Sequence, residues 1–170
     1  RDVLVCGGVI EAVEEQIEGE LPFCKVIDGR GKKLTPGFID PHVHITGGGG
    51  EGSFHTQVPP VKLSELLQGG VTSLVGLLGT DGISRNMESL LARGKALKEE
   101  GLTVYLCTGS YGYPSVTLTG DIRKDIMFVE EIIGVKLALS DHRAPNVTLD
   151  ELVRLASDAR VAGMLSGKCG

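Results

Sequence analysis

Two histidines separated by one residue are the clearest chemical feature of the sequence. His42 and His44 lie in the segment GFIDPHVHI, an apolar run that predicts a strand. Alternate residues of a strand point to the same face, so both imidazoles would project together, about 6.6 Å apart at their backbones. This spacing lets two rings bind one metal ion. Two neighbouring core or surface histidines are the alternative interpretation, and spacing alone leaves both open.

The histidine pair opens a part of the chain in which predicted strands and helices alternate. From Pro36 onward we predict strands at residues 37–45, 71–78, 102–107 and 135–139. Helices are predicted at 61–68, 85–100 and 121–133, and a last one runs to Ala162 from a capping box of Thr148 and Glu151. Repeated strand-helix units imply a parallel sheet with its active site at the carboxyl ends of the strands. Four units make an open α/β sheet or half of a (β/α)₈ barrel, which needs about 250 residues.

The amino-terminal residues have a different pattern. Short strands are predicted at residues 3–6, 9–13, 25–28 and 32–35, with a turn at 28–31. Four such strands cannot bury a core alone, because a small sheet needs a second layer. We therefore predict two domains: residues 1–36, part of a β-sandwich, and residues 37–170, the α/β part.

Composition excludes several classes of function. The 170 residues carry 17 Lys and Arg against 22 Asp and Glu, a formal net charge of −5, and 41% of them are hydrophobic. This balance is typical of a globular protein and disfavours nucleic acid, which requires a basic surface. There is no apolar run of 18 residues, so we expect no membrane partner. The four cysteines form no CxxC pair, which favours free thiols and a cytoplasmic location.

A resemblance to a known family adds to this interpretation. LTPGFIDPHVH, residues 34–44, resembles the first-strand signature of the amidohydrolase superfamily. Those enzymes are metal-dependent hydrolases with a (β/α)₈ TIM barrel and a small β-sandwich built from both chain ends. Further segments resemble, in order, the isoaspartyl dipeptidases of that superfamily: GGGGE at 47–51, GLLGTD at 76–81, TGSY at 108–111, GVK at 134–136 and SDHR at 140–143. The resemblance implies the first half of such a barrel, preceded by strands of the sandwich.

The resemblance also implies a metal centre. His42 and His44 would bind one Zn²⁺ of a pair, and Lys136, carboxylated on its amine as N6-carboxylysine, would bridge both ions. A carbamate is an anionic oxygen ligand, whereas a free lysine is a cation that repels metals. Without the resemblance, Lys136 is a surface lysine at the end of a strand.

The same resemblance assigns six residues to substrate binding: Gly49, Gly50, Glu51, Thr80, Tyr111 and Arg143. Glu51 would pair with a free α-amino group and Arg143 with a carboxylate, while Tyr111 would stabilise the developing oxyanion. Glu51 and Tyr111 are therefore the candidate catalytic residues. The implied reaction is hydrolysis of β-aspartyl dipeptides by a hydroxide that bridges two zinc ions, in a homo-oligomer whose substrate is a small peptide.

Part of the implied site lies outside this sequence. The family pattern needs two further histidines and an aspartate on later strands, so we expect a fragment of a protein about twice as long. We call that protein the parent protein, and we expect no catalysis from the 170 residues alone. Two alternatives stay open: another amidohydrolase, such as a dihydroorotase-like enzyme or an N-acyl-amino-acid deacylase, and a non-catalytic structural homologue.

Overall fold

The first of two structural units contains a single hairpin among its described residues. A computed structural model describes residues 1–19 and 22–170, and it divides the chain into Arg1–Thr35 and Pro36–Gly170. In the first unit, β1 (Asp2–Cys6) and β2 (Val9–Glu14) pair antiparallel, as their alternating sequences predict. The assignment of this unit to a β-sandwich stays a prediction.

The two later strands predicted for this unit are wrong. Residues 25–28 and 32–35 have no strand structure. A turn does form between them, one residue later than predicted, because Lys32 N–H donates to Gly29 O at 3.0 Å. Val26 and Ile27 are 87% and 80% exposed. A strand exists only where a neighbour takes up its backbone hydrogen bonds, and these segments have no such neighbour among the described residues.

The second unit alternates strands and helices. In chain order its elements are β3 (Phe38–Val43), β4 (Gly48–Gly49), a 3₁₀ turn (Phe54–Thr56), β5 (Gln57–Val58), α1 (Leu63–Gln68), β6 (Val71–Gly76), α2 (Met87–Glu99), β7 (Thr103–Thr108), α3 (Ile122–Phe128), β8 (Ile132–Val135) and α4 (Leu149–Ser166). No helix in the described residues is both long and apolar enough to cross a bilayer.

Four of these strands form one parallel sheet in the order β3-β6-β7-β8. Sequence neighbours are also spatial neighbours, as expected when each strand returns through a crossover. One face is covered by helices, where Leu74 and Leu106 of the sheet pack in one buried cluster with Leu90 and Leu97 of α2. The predicted α/β architecture of about four strand-helix units is confirmed.

Two boundaries differ from the predictions in the region before Lys136. The helix predicted at 121–133 ends at Phe128, because Val129 has extended backbone angles (φ −97°, ψ 114°). The strand predicted at 135–139 lies earlier, and its first residue, Ile132, is fully buried. Burial of Ile132 in the core outweighs the helical pattern of the preceding residues. Lys136 therefore follows the strand directly.

The last helix has the predicted start. The Thr148 side chain accepts from the backbone of Glu151, and the Glu151 side chain accepts from Thr148 N–H, which forms the capping box. The helix continues beyond Ala162 to Ser166 and ends at Gly167, whose φ of 71° is left-handed.

Candidate active site

The histidine pair lies at the carboxyl end of β3, the first strand of the parallel sheet. His42 belongs to the strand and His44 follows it, and their ring centroids are 5.3 Å apart with an interplanar angle of 40°. Asp40 accepts a hydrogen bond from the His42 backbone N–H at 3.1 Å. The two rings therefore share one face, as the strand periodicity predicts.

His44 is the more enclosed of the two. Its Nε2 is buried and has no hydrogen-bond partner in the described part of the chain. Burial, followed by the positive charges of His42, Lys136 and Arg85, lowers the pKa of His44. A neutral imidazole with an unpartnered nitrogen is the form in which histidine binds a metal.

Gly79 lies against the His44 ring. It follows β6 and has a φ of +77°, and a Cβ built on it would lie 2.7 Å from Cε1 and 3.1 Å from Nε2 of His44. Any larger residue there would displace the ring. This close approach carries no signal in the sequence beyond the glycine itself.

Lys136 lies at the end of β8, near the same edge of the sheet. Its backbone N–H donates to Thr108 O at 2.7 Å, which continues the pairing with β7. Its Nζ lies 5.3 Å from the centroid of the Tyr111 ring. The side chain is half-buried, so it is not the fully exposed surface lysine that the sequence alone suggests.

An open cavity of about 210 Å³ brings most of the predicted substrate residues together. Of the residues proposed from sequence, the cavity lining includes His44, Gly49, Glu51, Thr80, Tyr111 and Arg143. His42, Gly50 and Lys136 do not line it. They lie beside residues that do, because each is a neighbour of His44, Gly49 or Tyr111.

Glu51 is held from two sides of this cavity. The Thr80 hydroxyl donates to Glu51 Oε1 at 3.4 Å, and the same oxygen forms an ion pair with Nη1 of Arg143. The Glu51 side chain is half exposed. It is thus oriented while one oxygen stays available to a ligand that carries an ammonium group.

Arg143 and Tyr111 lie beside each other in the cavity lining. The guanidinium of Arg143 donates to both oxygens of Asp141, at 2.7 and 2.6 Å, and its Cζ lies 5.1 Å from the Tyr111 ring centroid. The Arg143 hydrogen bonds hold the pKa of Asp141 well below its usual range, and Asp141 raises the pKa of Arg143. Tyr111 is fixed by its backbone N–H, which donates to Gly79 O at 3.2 Å.

Sequence reasoning missed three polar residues of this site: Asp81, Arg85 and Asp141. Asp81 and Arg85 line the cavity and pair with each other at 3.1 Å. The spacing of four residues between them is a weak signal in the sequence, because such pairs are common at helix starts. The two-residue spacing of Asp141 and Arg143 is equally common.

The described residues contain no group of three His, Cys, Asp or Glu side chains close enough to hold a metal ion. Two imidazoles that share a face, one with an unpartnered buried nitrogen, nevertheless make an incomplete donor set. Lys136 would join it only as a carbamate, since an ammonium group has no lone pair to donate. The residues present therefore fit part of a metal centre.

A comparison with protein families identifies the family of this chain. The model of the amidohydrolase family matches residues 34–166. The chain belongs to the amidohydrolase family. This family match confirms the resemblance of residues 34–44 and the predicted fold class.

Similar proteins point to specific members of the family. A beta-aspartyl dipeptidase of known structure from Fervidobacterium islandicum AW-1 is 54% identical, with a TM-score of 0.78 over 79% of this chain and 37% of that one. The same enzyme has been solved with a beta-Asp-Leu dipeptide, at a TM-score of 0.77. A dihydroorotase from Listeria monocytogenes is 28% identical over 81% of this chain and 33% of its own length. The chain thus spans about a third of the length of these relatives.

Proposed function

We propose that the parent protein is a zinc-dependent metallo-dipeptidase that hydrolyses β-aspartyl dipeptides. One observation carries the proposal: the cavity groups Glu51, Tyr111 and Arg143 beside His44 in a chain 54% identical to a beta-aspartyl dipeptidase. The relative is solved with beta-Asp-Leu, a ligand with one ammonium and two carboxylate groups. A carboxylate, a guanidinium and a phenol are the complementary groups for such a ligand.

Each side chain has a role that follows from its contacts. Glu51, oriented by Thr80 and Arg143, binds the substrate ammonium. Arg143, kept rigid by Asp141, binds a carboxylate. Tyr111 donates its phenol proton as a hydrogen bond to the carbonyl oxygen of the amide that breaks, where negative charge develops. The backbone of Gly49 and Gly50 allows the ligand to approach closely.

The metal centre is the second part of the proposal. His42, His44 and carboxylated Lys136 would hold two zinc ions together with residues of the parent protein outside this chain. When bound, these ions lower the pKa of a water and polarise the amide carbonyl. The cytoplasmic location and the homo-oligomeric state proposed from the sequence belong to the same hypothesis.

A second candidate function has its own support. The curated relatives include dihydroorotases and an imidazolonepropionase from Alkaliphilus metalliredigens, which is 34% identical over 54% of this chain. Dihydroorotase activity would use the same histidine pair on a cyclic amide. Such a substrate has no free ammonium group, so Glu51 would have no partner in it.

The test measures metal content and substrate choice together. The parent protein, expressed with zinc and bicarbonate, should bind two zinc ions per chain and hydrolyse β-aspartyl-leucine in preference to dihydroorotate. Lys136→Ala should lose metal and activity, whereas Lys124→Ala, at an exposed lysine of α3, should keep both.

Other results would redirect or end the proposal. Hydrolysis of dihydroorotate but not of β-aspartyl-leucine would favour the second function. One metal ion per chain, insensitive to Lys136→Ala, would contradict the carbamate and indicate a mononuclear enzyme. A parent protein without metal or activity would be a structural homologue.

A further inference from the structure

A largely buried guanidinium connects the glycine-rich wall of the cavity to the rest of the site. We call residues 46–51 the glycine loop. Arg85 lies just before α2, and its side chain is 11% exposed. Its Nε donates to Thr46 O at 3.3 Å and its Nη2 to Gly48 O at 3.2 Å, both within the glycine loop.

The same side chain also bonds to two segments outside this loop. Nη2 of Arg85 lies 3.5 Å from Val58 O in β5, the strand that pairs with Gly48 and Gly49 of β4. Nη1 donates to Asp81 Oδ2 at 3.1 Å. The planar guanidinium therefore bonds to three backbone carbonyls and one carboxylate. The ammonium group of a lysine has only three donors and is not planar, so it cannot reproduce this arrangement.

Asp81 is itself fixed in place. Its Oδ1 accepts from the backbone N–H groups of Ile83 and Ser84 at 3.0 and 2.8 Å. Asn86 caps α2 by accepting from Ser89 N–H at 2.9 Å. The backbone of Arg85 is thus fixed next to the start of α2, while its guanidinium reaches the carbonyls of the glycine loop.

The loop has few other contacts that hold its shape. Gly47 N–H donates to His44 O at 2.9 Å, Gly50 N–H donates to Thr56 O at 3.3 Å, and β4 and β5 pair over two residues each. At the end of the loop, the Glu51 side chain bonds to Thr80 and Arg143. A two-stranded ribbon of this length is unstable without outside support. Arg85 supplies that support through its charge-assisted bonds.

We infer that Arg85 is a positioning residue: its guanidinium, anchored by Asp81, sets the glycine loop in the shape that presents Gly49, Gly50 and Glu51 to the substrate. This inference deepens the proposed function and rests on it for the identity of the substrate. Loss of the guanidinium removes one hydrogen bond from each of three carbonyls, so the loop relaxes and substrate binding weakens more than the chemical step does.

The first test measures the loop without any substrate. In the parent protein, Arg85→Ala should speed amide hydrogen exchange in residues 46–58, and Arg85→Lys should do so to a smaller extent. The matched control is Arg93→Ala: Arg93 lies in α2, outside the cavity lining, and donates to the single carbonyl Val61 O at 2.7 Å. It should leave exchange in 46–58 unchanged. Unaltered exchange in both Arg85 variants would overturn the inference.

The second test uses hydrolysis of β-aspartyl-leucine. Arg85→Ala should raise KM about ten-fold or more with a smaller change in kcat, as expected for lost binding. Guanidinium chloride at millimolar concentration should lower the KM of Arg85→Ala, and sodium chloride at the same concentration should not. An equal rise of KM in Arg93→Ala, or no rescue by guanidinium, would show a general structural effect and contradict the inference.

The two tests separate the inference from the proposed function. If the wild-type parent protein leaves β-aspartyl-leucine intact, the proposed function fails. The exchange measurement still decides whether Arg85 positions the glycine loop.

Discussion

Replacing Gly79 with alanine should weaken metal binding by displacing the His44 ring. The added Cβ would lie 2.7 Å from Cε1 of that ring, whereas ordinary van der Waals contact begins at 3.4 Å. The ring must therefore move by roughly 0.7 Å to restore that contact distance, and the adjoining cavity gives it room to do so. Zinc-nitrogen bonds are about 2.0–2.1 Å long and tolerate changes of about 0.2 Å. The displacement is several times that tolerance.

The magnitude has two parts that a matched variant separates. An alanine at the left-handed φ of Gly79 costs about 1–2 kcal/mol of folding free energy wherever it occurs. Gly167→Ala carries this cost alone, because Gly167 has a φ of +71° and no atom within 4 Å of the position of an added Cβ. The clash with His44 is specific to Gly79. Disturbed support of a metal-binding histidine lowers metal affinity about 10- to 100-fold, or about 1.4–2.8 kcal/mol.

The assay compares zinc affinity with stability in the parent protein. Zinc affinity is measured by competition with a chromogenic chelator, and the free energy of unfolding by urea denaturation. Both variants should lose stability, and Gly79→Ala alone should lose zinc affinity. If Gly79→Ala binds zinc as tightly as Gly167→Ala, then the contact with Gly79 does not set the position of His44, and the reasoning is refuted.

Three further perturbations test other parts of the structure. Asp125 is fully buried and accepts four hydrogen bonds. In Asp125→Asn the amide NH₂ group would face hydrogen-bond donors, so the free energy of unfolding measured in urea should fall by about 3 kcal/mol. A loss below about 1 kcal/mol would contradict this prediction. Asp141→Asn should raise KM for β-aspartyl-leucine about ten-fold at unchanged metal content, because Arg143 keeps only one of its two acceptor oxygens at this position and loses the negative charge. An unchanged KM would count against this role. The Arg123 hydrogen bonds hold the pKa of Asp121 at about 2, below the ordinary value of 3.8 for an aspartate. The ionised Asp121 side chain stabilises the fold by about 1 kcal/mol at this helix cap, and this stabilisation is present above pH 4 and lost as the pH falls toward 2. The difference in unfolding free energy between the wild type and Asp121→Ala should therefore shrink over that range. A constant difference would contradict the lowered pKa.

Local patterns were enough to predict the elements that position the site. The apolar run at residues 37–45 and the capping box at Thr148 depend only on neighbours in the chain, and the structure has a strand at Phe38–Val43 and the capping box at Thr148. The histidine pair was found for the same reason, since a two-residue spacing fixes a shared face in any strand. The strands expected at 25–28 and 32–35 failed because pairing depends on a partner that the local sequence does not specify.

The contacts that complete the site arise from long-range packing. Arg85 bonds to carbonyls 27 to 39 residues away, and every residue has a carbonyl, so no sequence pattern marks the acceptors. The contacts of Asp125 are equally hard to predict. A carboxylate in a predicted helix is expected to face solvent, but the Asp125 side chain points inward and accepts from Thr108 and from the loop after β7. The role proposed for Lys136 comes from family resemblance alone, because neither its spacing nor its sequence neighbours indicate a ligand.

The distribution of charge around the cavity supports the assignment of Lys136. The two arginines of the cavity lining are each paired with a carboxylate, Arg85 with Asp81 and Arg143 with both Asp141 and Glu51. In the described part of the chain, Lys136 has no carboxylate within ion-pair distance, and its Nζ instead faces the Tyr111 ring. Carboxylation of Lys136 would therefore break no ion pair, whereas loss of either arginine's charge would leave a carboxylate unpaired. Of these three cationic side chains, Lys136 is therefore the one that can become an anionic ligand by carboxylation without leaving a carboxylate unpaired.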